Sequence, residues 1–229
     1  MTTTSDDTTA DRLPLSARSG ERGSGGEGVA IDLGCGMRKH AGAIGLDIAP
    51  IPGSVDILGD VTRTPFRDSC ADRVYASHIV EHLDDLPAFM AEIWRISRHD
   101  ALVYFRFPHA SSLHTAWTDP THRRALTMET FEYFAPETLQ GVLFGYYHTA
   151  QFRVVRRRIT FSLNAEKPYS GSVWLPSHNR ARRVTGRILD ALANRSNRTQ
   201  YICERFWGPL VGMEEGHVWL RAIKSEPRL

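Results

Sequence analysis

The chain has almost no lysine: Lys39, Lys167 and Lys224 are three among 28 basic residues, and the others are arginine. The 26 acidic residues nearly balance them, leaving a formal net charge of +2. No strong basic excess therefore drives the protein onto nucleic acid, and there is no N-P-P-Y-type run of the kind that handles base amino groups. Cysteine is scarce too. Cys35, Cys70 and Cys203 are odd in number and widely spaced, which argues against a disulfide framework or a cysteine zinc site and fits a reduced, cytoplasmic protein. No apolar run approaches the roughly 18 residues of a membrane helix, so no membrane span is expected. The Thr-, Asp- and Ser-rich N-terminus has no apolar segment, so no secretory signal is expected either.

What is present is enough apolar material for one large core: 41% of 229 residues. Residues 1–27 are too polar to offset their ordering entropy and are expected to form a disordered leader. Residues 28–229 then form one domain. It is organised around Val29-Ala30-Ile31-Asp32-Leu33-Gly34-Cys35-Gly36, followed by Ile44-Gly45-Leu46-Asp47-Ile48. Both runs read as buried parallel strands. Gly34 and Gly36 allow a sharp turn and close approach of a ligand to the backbone. Asp47, at the end of the second strand, can accept hydrogen bonds from a ribose diol. The rival reading, a dinucleotide-binding G-x-G-x-x-G, fits less well because Lys39 stands at the third glycine position.

The motif Asp32-Leu33-Gly34-Cys35-Gly36 resembles the first motif of class I S-adenosylmethionine-dependent methyltransferases. The resemblance implies a Rossmann-like α/β fold, with a mostly parallel seven-stranded sheet and an antiparallel last strand. It also implies S-adenosylmethionine as cofactor, with Asp32, Gly34, Gly36, Asp47 and Ile48 near its methionine and ribose parts. Asp60 and Val61 would lie near adenine, after a third short strand at about 56–61. Ser77 and His78 end the fourth strand, 71–78, and would open onto the cofactor. Ser77-His78-Ile79-Val80-Glu81-His82-Leu83 is similar to a segment common in small class I methyltransferases, where the counterparts of Glu81 and His82 look structural. One departure stands out. Only Met37 to Leu46 separate Gly36 from Asp47, whereas a helical parallel crossover takes about a dozen residues or more. The layout is similar to that of a small bacterial subgroup associated with polysaccharide assembly, including actinobacterial sugar O-methyltransferases of the methylated polysaccharide type. Little or no helix is expected between the first two strands.

Further along, Asp84 and Asp85 can cap a helix with Pro87 in its first turn and Leu86, Phe89, Met90, Ile93 and Ile96 on one buried stripe. The fifth strand is expected at 101–107. The segment 108–124 leaves its carboxyl end, where ligands of open α/β sheets bind. It holds His109, His114, Trp117, Asp119 and His122. A hydroxyl acceptor needs a base, and histidine titrates near neutrality. His109, His114 and His122 are therefore candidate bases, with Asp119 orienting one of them. Asp119 and His122 could instead hold a divalent metal such as magnesium, which would lower the alcohol pKa. Thr127 with Thr130 suggests a capping box. A half-exposed strand at 152–163 turns Val155, Ile159, Phe161 and Leu163 inward, and pairs with one at 217–224. The insertion 164–216 carries a helix with Val184, Ile188, Leu189 and Leu192 inside. Its arginines 180, 182, 183 and 187 read as a solvated face; the alternative is an anion or subunit contact, and with it a homo-oligomer.

These features point to O-methylation of a small-molecule or oligosaccharide acceptor, with Trp117 and Tyr169 or Trp174 as stacking faces. The alternatives are N- or C-methylation of a secondary metabolite, and a non-catalytic cofactor-binding protein.

Overall fold

The strand Ala30–Leu33 (β1) is buried at every position, which demands partners on both edges. It has Ile44–Asp47 (β2) on one side and Ala71–Ser77 (β4) on the other, both parallel to it. Ile57–Leu58 (β3) extends the sheet beyond β2, and Ser97–Pro108 (β5) pairs in parallel with β4. Phe152–Thr160 (β6) and Glu215–Ala222 (β7) complete it. The computed structural model describes residues 28–161 and 180–224. Their sheet has seven strands in the order β3-β2-β1-β4-β5-β7-β6, with β7 antiparallel to both neighbours. This is the mixed α/β architecture expected from the sequence. Residues 34–43 contain no helix, as their length required. The leader, Leu163, Tyr169 and Trp174 lie outside the described residues, as does part of the insertion.

The two faces of the sheet differ. On one, Ile31, Val74, Val103 and Leu220 align across four strands and are fully buried. They lie under Leu86–Ile96 (α1) and the 3₁₀ turn Met128–Phe134. Asp85 caps α1, accepting a hydrogen bond from Ala88 N at 2.9 Å, and Pro87 sits in its first turn. Phe89, Met90, Ile93 and Ile96 are fully buried. Each buried side chain of that size contributes about 1.5–3 kcal/mol. Phe131 stacks on Phe105 at 4.5 Å. On the other face, one row runs Asp32, Tyr75, Tyr104, Trp219, Arg156 across five strands. His40, from the β1–β2 crossover, stacks on Tyr75 at 4.1 Å, and the Arg156 guanidinium lies over Trp219.

Several boundaries and faces differ from expectation. The third strand is only two residues long, and Asp60 and Val61 follow it in a turn. β5 begins at Ser97, directly after α1 and without a loop. A bulge between Val154 and Arg156 breaks the alternation of β6, so Val155 is exposed while Ile159 is buried. The helix Arg180–Ala193 (α3) turns Val184, Ile188 and Leu192 outward, about half exposed. Its inner side instead carries Leu189, packed against the core as expected, and the buried Asp190 and Ala193. Asp190 accepts from Phe161 N, while Asn194 just beyond it accepts from Ile159 N and donates to Ile159 O. The end of β6 needs backbone partners, and those two side chains supply them, rotating the helix away from its apolar stripe. Among the described residues, no helix is long and apolar enough to cross a membrane.

Candidate active site

At the carboxyl end of β1 the chain reverses. Gly34 has φ +68° and Gly36 φ +49°, both in the left-handed region that glycine alone adopts freely. Gly34 N donates to Leu46 O at 2.8 Å, tying the turn to β2. A Cβ on Gly34 would stand 2.7–2.9 Å from the Ile79 side chain, whereas one on Gly36 would meet nothing within 4 Å. The first glycine is demanded by packing; the second leaves an open floor. Asp47 holds that floor in place, accepting from Gly36 N at 2.8 Å and from Ala49 N at 2.9 Å. A carboxylate has about four acceptor positions, so each oxygen keeps room for another donor. Ile48 beside it is exposed. Asp32 does not reach the rim. It is 1% exposed and accepts from His40 N at 2.7 Å, with His40 Nδ1 3.0 Å away. Asp60 accepts from both the amide and the hydroxyl of Thr62, which hold its carboxyl below the usual range. Val61 packs into the core.

The carboxyl end of β4 builds a charged cluster. His78, at φ +53°, follows Ser77. Its Nε2 lies 3.1 Å from Glu215 Oε1, and its Nδ1 lies 3.3 Å from Glu81 Oε1. Burial opposes the charge, but the hydrogen bond to Glu215 and the charge of Glu81 outweigh it and raise the His78 pKa to about 9. His78 is thus a held cation at neutral pH. Glu215 also takes both arms of Arg106, at 3.0 and 2.8 Å. Its burial favours the neutral acid, yet His78 and Arg106 bring its pKa down to about 2.

The segment after β5 is partly helical at Leu113–Trp117 (α2). His109 is buried, with both ring nitrogens engaged. Nδ1 accepts from Ser111 N at 3.1 Å, so Nε2 carries the proton and donates to Glu204 at 2.9 Å. Glu204 also accepts from Met128 N, so this histidine pins three segments together. The His114 side chain lies outside the described residues. His122 donates from Nδ1 to Ala116 O at 2.7 Å, leaving Nε2 as its lone pair, 4.0 Å from Asp119 Oδ2. Arg123 N donates to Glu81 O, and the Arg124 guanidinium donates to Leu83 O and Asp84 O. Those bonds bring 119–124 against the turn that follows β4, and the rings of His82 and His122 meet edge to face at 4.7 Å. Sequence reasoning left Arg106, Glu204 and Glu215 unassigned. They lie about 100 residues from one or more of their partners, and no local pattern marks them.

An open glycine turn and an acid at the next strand end stand together, and in the same sheet β7 is inserted antiparallel between β5 and β6. The fold is that of a class I methyltransferase. Residues 16–105 match the family model described as a methyltransferase domain, and the match stops just before the segment after β5. The malonyl-[acyl-carrier protein] O-methyltransferase of Serratia marcescens is 31% identical over 102 residues, 36% of this chain and 39% of that protein. The chain thus spans about two fifths of this curated relative's length. A SAM-dependent methyltransferase of Archaeoglobus fulgidus shares the fold with TM-score 0.50 and 18% identity, over 85% of this chain and 86% of that one.

Proposed function

We propose that this protein is an S-adenosylmethionine-dependent methyltransferase that methylates a hydroxyl oxygen of a sugar or other polyhydroxylated small molecule. The observation that carries the cofactor reading is the open floor at Gly36 beside Asp47, where an added Cβ would meet nothing and the carboxylate keeps acceptor capacity. These residues fit a nucleoside with a flexible tail. Gly34 and Gly36 would lie under the tail, Asp47 would accept from the ribose hydroxyls, and Ile48 would offer an apolar surface. Asp60 would accept from the adenine amino group, and Ser77 and His78 would close the near wall. When bound, S-adenosylmethionine supplies an electrophilic methyl group on a sulfonium.

The chain's own task is to align the acceptor, exclude water and take up a proton. Of the three candidate histidines, His109 is spent on structure. His122 keeps an Nε2 lone pair at the site and can take the hydroxyl proton, while Asp119 stabilises the resulting imidazolium. Trp117, half exposed on the same segment, offers a stacking face. Oxygen as the accepting atom also agrees with the name of the Serratia relative, an O-methyltransferase.

The test is transfer of labelled methyl from S-adenosylmethionine to a panel of mono- and oligosaccharides, beside amine-bearing acceptors. A labelled methyl ether on a sugar is the expected product. Label found only on nitrogen or carbon would overturn the hydroxyl reading.

A further inference from the structure

Glu81 presents an anomaly. The residue is 1% exposed, and neither carboxylate oxygen accepts a hydrogen bond. His78 Nδ1, 3.3 Å from Oε1, gives that oxygen an ion pair without hydrogen-bond geometry. The His78 cation thus meets one oxygen only, and Oε2 stays buried with neither a donor nor a cation of its own, an arrangement that a second cation would relieve. Two imidazoles stand beside it. One ligand atom each from Glu81, His82 and His122 can be chosen so that all three lie within 4.8 Å of one another.

The hydrogen bonds around the two histidines set their tautomers. The single hydroxyl proton of Thr121 goes to Asp119 Oδ1 at 2.6 Å, so Thr121 Oγ1 must accept from His82 Nδ1–H at 2.9 Å. His122 Nδ1–H donates to Ala116 O. Both rings therefore carry their lone pair on Nε2, held by an oxygen on the opposite nitrogen. Histidines that ligate metals are oriented in this manner.

We propose that Glu81, His82 and His122 bind a divalent first-row transition metal such as zinc. Two imidazoles and one carboxylate suit a borderline ion better than magnesium, which prefers oxygen throughout. Zinc–nitrogen bonds are about 2.0–2.1 Å, so ligand atoms as far apart as 4.8 Å close inward on the ion when it binds. Three protein ligands leave a position open for a water or an acceptor hydroxyl. The consequence for catalysis rests on the methyltransferase reading. With the ion in place, the His122 lone pair would hold the metal, and the ligated hydroxyl, acidified by the ion's charge, would release its proton to solvent water instead of to His122. The binding of the ion does not depend on that reading.

The test uses untagged full-length protein stripped with chelator. Cobalt(II) is added as a spectroscopic probe and zinc(II) is titrated by calorimetry. One ion per chain is expected, with visible ligand-field absorption from cobalt. His82→Ala and His122→Ala should each weaken zinc binding by at least about 100-fold, and Thr121→Val, which releases His82, by about 10–100-fold. Absence of uptake, or uptake undiminished in the histidine variants, overturns the site. Should a histidine variant fail to fold, Thr121→Val decides, and unchanged affinity there also overturns it. Calorimetry with S-adenosylhomocysteine on the same preparation separates the two readings. Nucleoside binding without metal uptake removes the metal site alone.

Discussion

The two sides of the candidate site are built by different means. The glycine-turn side spans residues 32–49 and is held by backbone donors meeting one acid: Gly36 N and Ala49 N on Asp47, with Gly34 N on Leu46 O. The side that the proposed function gives to the acceptor is assembled from three distant segments, around 78–82, 109–124 and 204–215, and is held by side-chain ion pairs and by hydrogen bonds from Arg123 and Arg124 to backbone carbonyls. The first is a local device that any acceptor chemistry can share. Under the proposed function the second is where a particular acceptor would be selected, and it lies largely beyond the segment that matches the methyltransferase-domain family.

The contrast is sharpest in rate. In metal-stripped protein His122→Ala should lower turnover about 10²–10⁴-fold under saturating cofactor, the usual contribution of a positioned base, while S-adenosylhomocysteine affinity stays unchanged. Equal losses in both would break the division into two sides. The next effect is on folding. Gly34→Ala meets both a left-handed φ and the Ile79 side chain and should cost about 2–4 kcal/mol. Gly36→Ala carries the φ penalty alone, about 1–2 kcal/mol. Denaturant melts of the two variants check the order, and equal losses would mean that Ile79 does not pack on the turn.

The acceptor side should show its charge in pH dependence. Glu215→Gln should cost about 1–2 kcal/mol at pH 7, because it leaves Arg106 and His78, both partly solvated, facing a neutral amide. The folded-state pKa of Glu215 is depressed, so its contribution is fully present above the unfolded carboxyl value. It is lost as pH falls from there through about 2. The stability gap between wild type and variant should therefore close on acidification. A gap independent of pH would show that Glu215 acts through packing and not through charge.

Legibility from sequence follows the same line. β1, β2, the Asp85 cap of α1 and the helix-free crossover were readable because each depends on neighbours within a few residues. The inner face of α3 was not, because Asp190 and Asn194 answer the backbone needs of β6, some 30 residues away. The bulge at Val154–Arg156 was invisible for the same reason: it is set by pairing with β7. His109 illustrates the limit for chemistry. As a loop histidine it looks like a base, and only the placement of Glu204 shows that both nitrogens are taken. Glu81 and His82 read as structural in sequence, and only the fold brings His122 to them.

The central claim is that the glycine turn and Asp47 form a nucleoside-binding rim. Calorimetry with S-adenosylhomocysteine on wild type and Asp47→Ala tests it most directly. The account predicts binding by the wild type and a loss of about 1.5–3 kcal/mol in the folded variant, the value of hydrogen bonds to a charged group. Unchanged affinity in a folded Asp47→Ala protein would contradict it.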